Sequence, residues 1–150
     1  MTAASANIEN KIQGTWWLLS REDHTSDGQR KLDPIFGSDP IAILVYANNY
    51  FAAQFMKREG SDGSVSAPNA AGQNNTSAVG GYDAYFVTYQ VNEETKQVAH
   101  TLVGSINPGN IGMTVYRNLL VEGDKLTIKL ETTTQDGEPV IRTLMWKRIA

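Results

Sequence analysis

Four connections in this chain of 150 residues are too short to do anything but turn a strand back on itself. Asn48-Asn49, Asn107-Pro108-Gly109-Asn110, Glu122-Gly123-Asp124 and Gln135-Asp136-Gly137 all carry turn chemistry. Gly and Asn accept the left-handed backbone that tight reversals need, Pro presets φ, and Asp and Asn bond their own backbone. Strand-like runs flank each of them, so the neighbours must be antiparallel. Such runs cover residues 15–23, 41–47, 50–56, 85–91, 97–106, 113–121, 125–132 and 139–148, with almost no helical periodicity between them. A meander of about eight strands closes on itself to remove its open edges. The expected fold is therefore all-β: a single antiparallel up-and-down barrel, with a short helical or irregular segment near 76–82 and an entry turn or helix within 7–13. In the 41–56 hairpin, a turn at Asn48-Asn49 sets Ala47 against Tyr50, Tyr46 against Phe51 and Ile43 against Gln54.

The length suits one domain with a real core, and 41% hydrophobic with 19% charged residues is an ordinary globular balance. Residues 1–10 are small and polar and read as a flexible N-terminus, without the basic start and apolar stretch of a signal peptide. No apolar run approaches the roughly 18 residues of a membrane span, so a cytoplasmic location and no membrane partner are expected. A net charge of -3 without a basic cluster lacks the footprint of a nucleic-acid binder. The chain has no cysteine, which removes disulfides, thiolate catalysis and Cys-based zinc sites. Its two histidines, His24 and His100, are far apart and give no metal-ligand spacing. No glycine-rich phosphate loop and no Gly-x-Ser-x-Gly elbow occurs. The expectation is no metal and no cofactor. Residues 57–81, dominated by Gly, Ser, Asn and Ala, form a long stretch without periodicity. In a barrel it belongs at the open mouth as a lid-like loop.

Side chains on a strand alternate faces, so parity predicts which of them share the interior. In 97–106 the more apolar face carries Val98, His100 and Leu102; in 113–121 it carries Met113, Val115, Arg117 and Leu119. For these faces to coincide, paired residue numbers must have an odd sum. A turn at 107–110 pairs Ile106 with Ile111 and sets His100 directly opposite Arg117; a slip of two residues leaves them diagonal neighbours. Both registers bring an imidazole and a guanidinium together on the inner wall. A buried guanidinium cannot deprotonate and needs a partner, and 125–132 offers none inward, because Leu126, Ile128 and Leu130 share that face. Asp83 is a candidate. A neighbouring Arg also holds His100 neutral near pH 7, able to give or take a proton.

In order and spacing, several marks resemble the bacterial and fungal lipocalin-like domain proteins, over about Ile12 to Arg148. They are Gly14-Thr15-Trp16-Trp17-Leu18-Leu19, Ile43-Leu44-Val45-Tyr46 with Gln54-Phe55-Met56, Gly81-Tyr82-Asp83-Ala84-Tyr85, His100 with Asn107-Pro108, Gly112 and Arg117, and Trp146-Lys147-Arg148. Tyr50 departs from the pattern, standing where a glycine is expected after the hairpin turn. The resemblance implies a closed barrel with a central cavity, sealed at one end by Trp16, Trp146 and a stacked Arg148. It also marks His100 and Arg117 as pattern positions. Barrels of this kind occur as ligand binders and as accessory proteins, cyclases or isomerases.

Three functional readings follow. The first is binding of a small, largely apolar molecule with an acidic or oxygen-bearing end. Arg117 and His100 take that end, with Gln54 as a further hydrogen-bonder, and Tyr46, Phe51, Met56, Tyr85 and Tyr89 hold the body. The second is a cofactor-free isomerase, cyclase or dehydratase in the same pocket, with His100 as general acid/base and Arg117 stabilising developing charge. The third is a structural or interaction module with a filled barrel. The apolar character of both faces of 41–56 points to cover by the barrel interior on one side and by a second copy, a homodimer, on the other.

Overall fold

The computed structural model describes residues 7–33, 35–58, 79–134 and 137–150. The tight connections reverse the chain as their residues demand. Asn48 and Asn49 both take positive φ, 42° and 70°, and the strands they join pair from Ala47↔Tyr50 through Tyr46↔Phe51 and Ile43↔Gln54, the expected register. Gly123, at φ 61°, makes the next tight reversal, with Glu122 opposite Lys125.

These reversals link β1 (Gly14–His24), β2 (Arg30–Lys31), β3 (Ile41–Ala47), β4 (Tyr50–Met56), β5 (Tyr82–Asn92), β6 (Gln97–Ser105), β7 (Thr114–Glu122), β8 (Lys125–Thr133) and β9 (Pro139–Arg148). The sheet runs β2-β1-β3-β4-β5-β6-β7-β8-β9, and β1 pairs again with β9. Eight strands thus close an antiparallel barrel, and β2 is a two-residue extension on the outside of that circuit. A single 3₁₀ turn, Pro108–Asn110, and one short helix, α1 (Ile8–Lys11), complete the elements among the described residues. Most of the lid-like loop expected over 57–81 lies outside the described residues. The described end of the segment near 76–82 is a tight turn. Gly80 and Gly81 sit at φ 61° and 82°, and Val79 and Tyr82 bond each other in both directions.

One end of the barrel is sealed as a consequence of Gly14, Trp16 and Arg148. The Arg148 guanidinium lies 4.3 Å over the Trp16 ring, donates to the carbonyls of Lys11 and Gln13 and bonds Asp124. Trp16 Nε1 donates to the Ile12 carbonyl at 2.9 Å. Gly14 has φ 128°, and a Cβ there would stand 2.6 Å from the Ala150 carbonyl oxygen; only glycine lets the chain ends meet so closely. The helix α1 closes over this floor. Glu93 carboxylate oxygens accept from the Ile8 and Glu9 amides at 2.8 and 3.0 Å, taking up donors a helix start leaves free. Trp146 does not join the floor. It pairs with Leu18 and Leu126, two residues short of the Trp16↔Arg148 pair, and faces the interior.

Two irregularities decide which polar groups point inward. Between β1 and β9 the register shifts between Leu18 and Ser20. Leu19 is the extra residue of this bulge, so the inward set passes from Trp16 and Leu18 to Arg21 and Asp23. Between β6 and β7 the pairs are Val98↔Arg117 and His100↔Val115. The direct His100–Arg117 opposition is therefore corrected to the diagonal arrangement. The cause is a wider connection: the 3₁₀ turn carries the chain past 107–110, and Leu102 is the residue that exchanges bonds with Gly112 and Met113.

Candidate functional site

The interior combines an apolar wall with an unusual number of charges. Arg21, Asp23, Asp83, His100, Arg117 and Arg142 are all buried. Near the end opposite the Trp16 floor, Asp23 and Arg142 are cross-strand partners, and the guanidinium grips the carboxylate with two bonds, 2.7 and 2.9 Å. Arg21 bonds Asp33, which the β2–β3 connection folds back over the barrel. Burial would raise the Asp33 carboxyl, but Arg21, then Arg142 and the Ile35 amide, hold it below its ordinary value. The same connection carries Phe36 inward. Its ring packs 5.9 Å from Phe55, with the Arg21 guanidinium 4.8 Å over it.

Deeper in, the His100 ring stacks on Phe51 at 4.4 Å, and its Nε2 shares a 2.8 Å hydrogen bond with the Tyr46 hydroxyl. Burial, then the charge of Arg117, drives the imidazole well below its usual value, so His100 is neutral near pH 7. Tyr46 is pushed well above its usual value, first by burial, and keeps its proton. Tyr85 is pushed up to about 12, burial outweighing the opposing pull of Arg117. Arg117 donates to the Tyr116 carbonyl at 3.0 Å and sits in the field of the Tyr85 and Tyr46 hydroxyls.

Several of these groups line one cavity of about 50 Å³. Its wall includes Arg21, Arg117 and Arg142, Asp83, His100, and the rings of Phe36, Phe51, Phe55, Tyr85 and Trp146. At roughly 10–15 Å³ for each water-sized group, the space takes about four such groups. Three buried polar atoms have no hydrogen-bond partner among the described residues: Asp83 Oδ1, His100 Nδ1 and Trp146 Nε1. All three belong to residues that line this cavity. Burial raises the Asp83 carboxyl to about 7, against the opposing pull of Arg21 and the Ala84 amide. The charge that acts on Asp83 is thus Arg21, where the sequence had offered Asp83 as a candidate partner for Arg117.

The residues singled out in the sequence separate into three groups. His100, Arg117, Tyr85 and Phe51 line the cavity. Tyr46 stands behind His100, and Tyr89 lies toward the floor, where its hydroxyl accepts from Gln13 at 2.7 Å. Gln54 and Met56 are corrected to the outer surface. They alternate with buried Ala53 and Phe55 on β4, and Gln54 accepts from the Tyr82 hydroxyl at 2.6 Å there. Sequence reasoning missed Arg21, Asp23, Asp33, Phe36 and Arg142 and assigned Trp146 to the floor. Arg142 carried a signal, since it shares parity with Val140, Leu144 and Trp146.

A closed barrel of eight strands with a polar cavity inside it belongs to the class that suits one small ligand. The lipocalin-like domain model matches residues 13–149, and the chain belongs to that family. A comparison with curated proteins gives no match. No helix among the described residues is long and apolar enough to cross a membrane.

Proposed function

We propose that the protein binds a small oxygen-bearing acid inside the barrel, its charged end beside Arg117 and its body against the Phe51 and Tyr85 rings. The observation that carries this reading is the pair His100 Nδ1 and Trp146 Nε1, buried, without a partner among the described residues, and lining the same cavity as Arg117. A buried polar atom left unpaired costs about 1–3 kcal/mol. Indole and guanidinium nitrogens only donate, and a neutral imidazole that receives the Tyr46 proton at Nε2 donates from Nδ1. These two donors beside the Arg117 guanidinium, in a wall that also holds Arg21 and Arg142, call for an acceptor-rich anion. The test is calorimetric titration of acetate, propionate and related short carboxylates, the size the cavity admits, into wild type and Arg117→Ala. Loss of about tenfold or more in affinity is expected, the scale of a charged hydrogen bond. Unchanged affinity of the variant for every acid that binds would reject the reading.

One observation favours a second reading, cofactor-free isomerisation, cyclisation or dehydration. A carboxyl that titrates near neutrality, Asp83, lines the cavity with a neutral imidazole, a pairing suited to moving protons at pH 7. In that reading His100 is the general acid/base and Arg117 stabilises developing negative charge; turnover retained by His100→Ala would defeat it.

A homodimer through the outer face of β1, β3, β4 and β5 is also part of the proposal. The cross-strand rows Trp17–Ile43–Gln54–Ala84 and Thr15–Val45–Ala52–Phe86 carry no charge, and Trp17 and Phe86 are exposed. Light scattering should give a dimer mass for wild type and a monomer for Val45→Glu. A wild type that stays monomeric on concentration would reject it.

A further inference from the structure

Asp83 stands apart from the groups assigned to the acid. It enters the cavity from β5, two residues from Tyr85 on the same face. From there the Tyr85 ring lies 5.8 Å from Phe51, and Phe51 stacks on His100. Two aromatic rings therefore separate the Asp83 carboxyl from the His100 imidazole along one wall. Asp83 is 4% exposed, and its Oδ1 has no hydrogen-bond partner among the described residues.

The chemistry around this oxygen selects what can meet it. Three guanidinium groups line the cavity; Asp33 and Asp23 balance those of Arg21 and Arg142, and the charge of Arg117 opposes a ligand ammonium. A second ligand carboxylate meets the negative charge of Asp83. An apolar group leaves Oδ1 unpaired, at about 1–3 kcal/mol. A hydroxyl donates to the ionised carboxylate and accepts from the protonated carboxyl. It therefore suits Asp83 in both states, and both are populated near neutrality.

We infer that Asp83 is a second binding contact that selects a hydroxyl at the end of the ligand opposite its acid group, so that the occupant is a short hydroxy acid that fits the cavity of about 50 Å³. This inference rests on the acid-binding reading above. It adds to that reading a direction for the ligand and a chemical requirement at its far end.

The test uses two probes that differ by one oxygen and suit the size of the cavity, propionate and 3-hydroxypropionate, titrated into wild type, Asp83→Ala and Arg117→Ala. Wild type should favour the hydroxylated acid by about tenfold or more, since a site with a buried polar group discriminates strongly against an analogue that cannot pair it. In Asp83→Ala that preference for 3-hydroxypropionate over propionate should fall to within about twofold. Where Asp83→Ala does not fold, the carboxyl ¹³C resonance of Asp83 in wild type provides the readout. It should shift on addition of the hydroxylated acid and stay in place with the plain one. If propionate binds and depends on Arg117 but the hydroxyl confers no preference, the inference is overturned and the acid-binding reading stands. If neither acid binds, the acid-binding reading falls and takes the inference with it.

Discussion

Replacing Asp83 by asparagine should change how the stability of this protein depends on pH. Burial raises the folded carboxyl to about 7 from an ordinary value of 3.8, so between about pH 4 and 7 the folded state holds a proton that the unfolded chain has released. Stability falls with pH wherever the native state binds more protons. The stabilising contribution is therefore fully present below pH 4 and is lost as pH rises through 7. About three pH units at about 1.4 kcal/mol each come to about 4 kcal/mol, a large part of the roughly 5–15 kcal/mol that holds a domain together. Asparagine keeps the shape and does not titrate. Urea unfolding of wild type and Asp83→Asn at pH 5, 6, 7 and 8 measures the difference directly. The stability of wild type relative to the variant should drop by about 3 kcal/mol from pH 5 to pH 8, most of it below 7.5. Parallel stability curves over that range would refute the argument, because they would mean that the carboxyl is ionised throughout and its burial is compensated.

Three further outcomes follow from particular contacts. Arg142→Met leaves Asp23 charged and buried and should cost about 3–5 kcal/mol in urea unfolding, while Asp23→Leu with Arg142→Met should recover most of it; a double variant no better than the single one would contradict the pairing. Gly14→Ala forces a Cβ to 2.6 Å from a backbone carbonyl at φ 128°, whereas Gly28→Ala, at φ 87°, meets nothing within 4 Å. Both pay for the left-handed backbone, so the excess loss at Gly14, at least about 2 kcal/mol by thermal melting, isolates the clash. Glu93→Ala removes the carboxylate from the start of α1 and should cost about 0.5–2 kcal/mol, seen as faster amide exchange at Ile8 and Glu9 with the sheet unchanged.

Much of the barrel was legible in the chain because its information is local. The turn residues demand reversals, the alternation of Leu126, Ile128 and Leu130 sets a face, and Asn48-Asn49 sets a register through its own backbone preference. The same parity put His100 and Arg117 on the inner wall; Arg142 shares the parity of Val140, Leu144 and Trp146 but was not singled out. What parity could not supply was the site as a whole. A one-residue bulge at Leu19 reverses the faces of everything after it, so Arg21 and Asp23, which strict alternation from Trp16 turns outward, enter the barrel. The 3₁₀ turn after β6 moves His100 and Arg117 from opposite to diagonal. The β2–β3 connection has no periodicity to read, yet it delivers Asp33 and Phe36 to the cavity, while Gln54 went outward once β4 placed Ala53 and Phe55 inside. The chain by itself therefore determined an antiparallel barrel with polar groups in its wall. Only the tertiary structure decided which charges meet there, because bulges and loop returns depend on closing the ring of strands, a condition that no single segment contains.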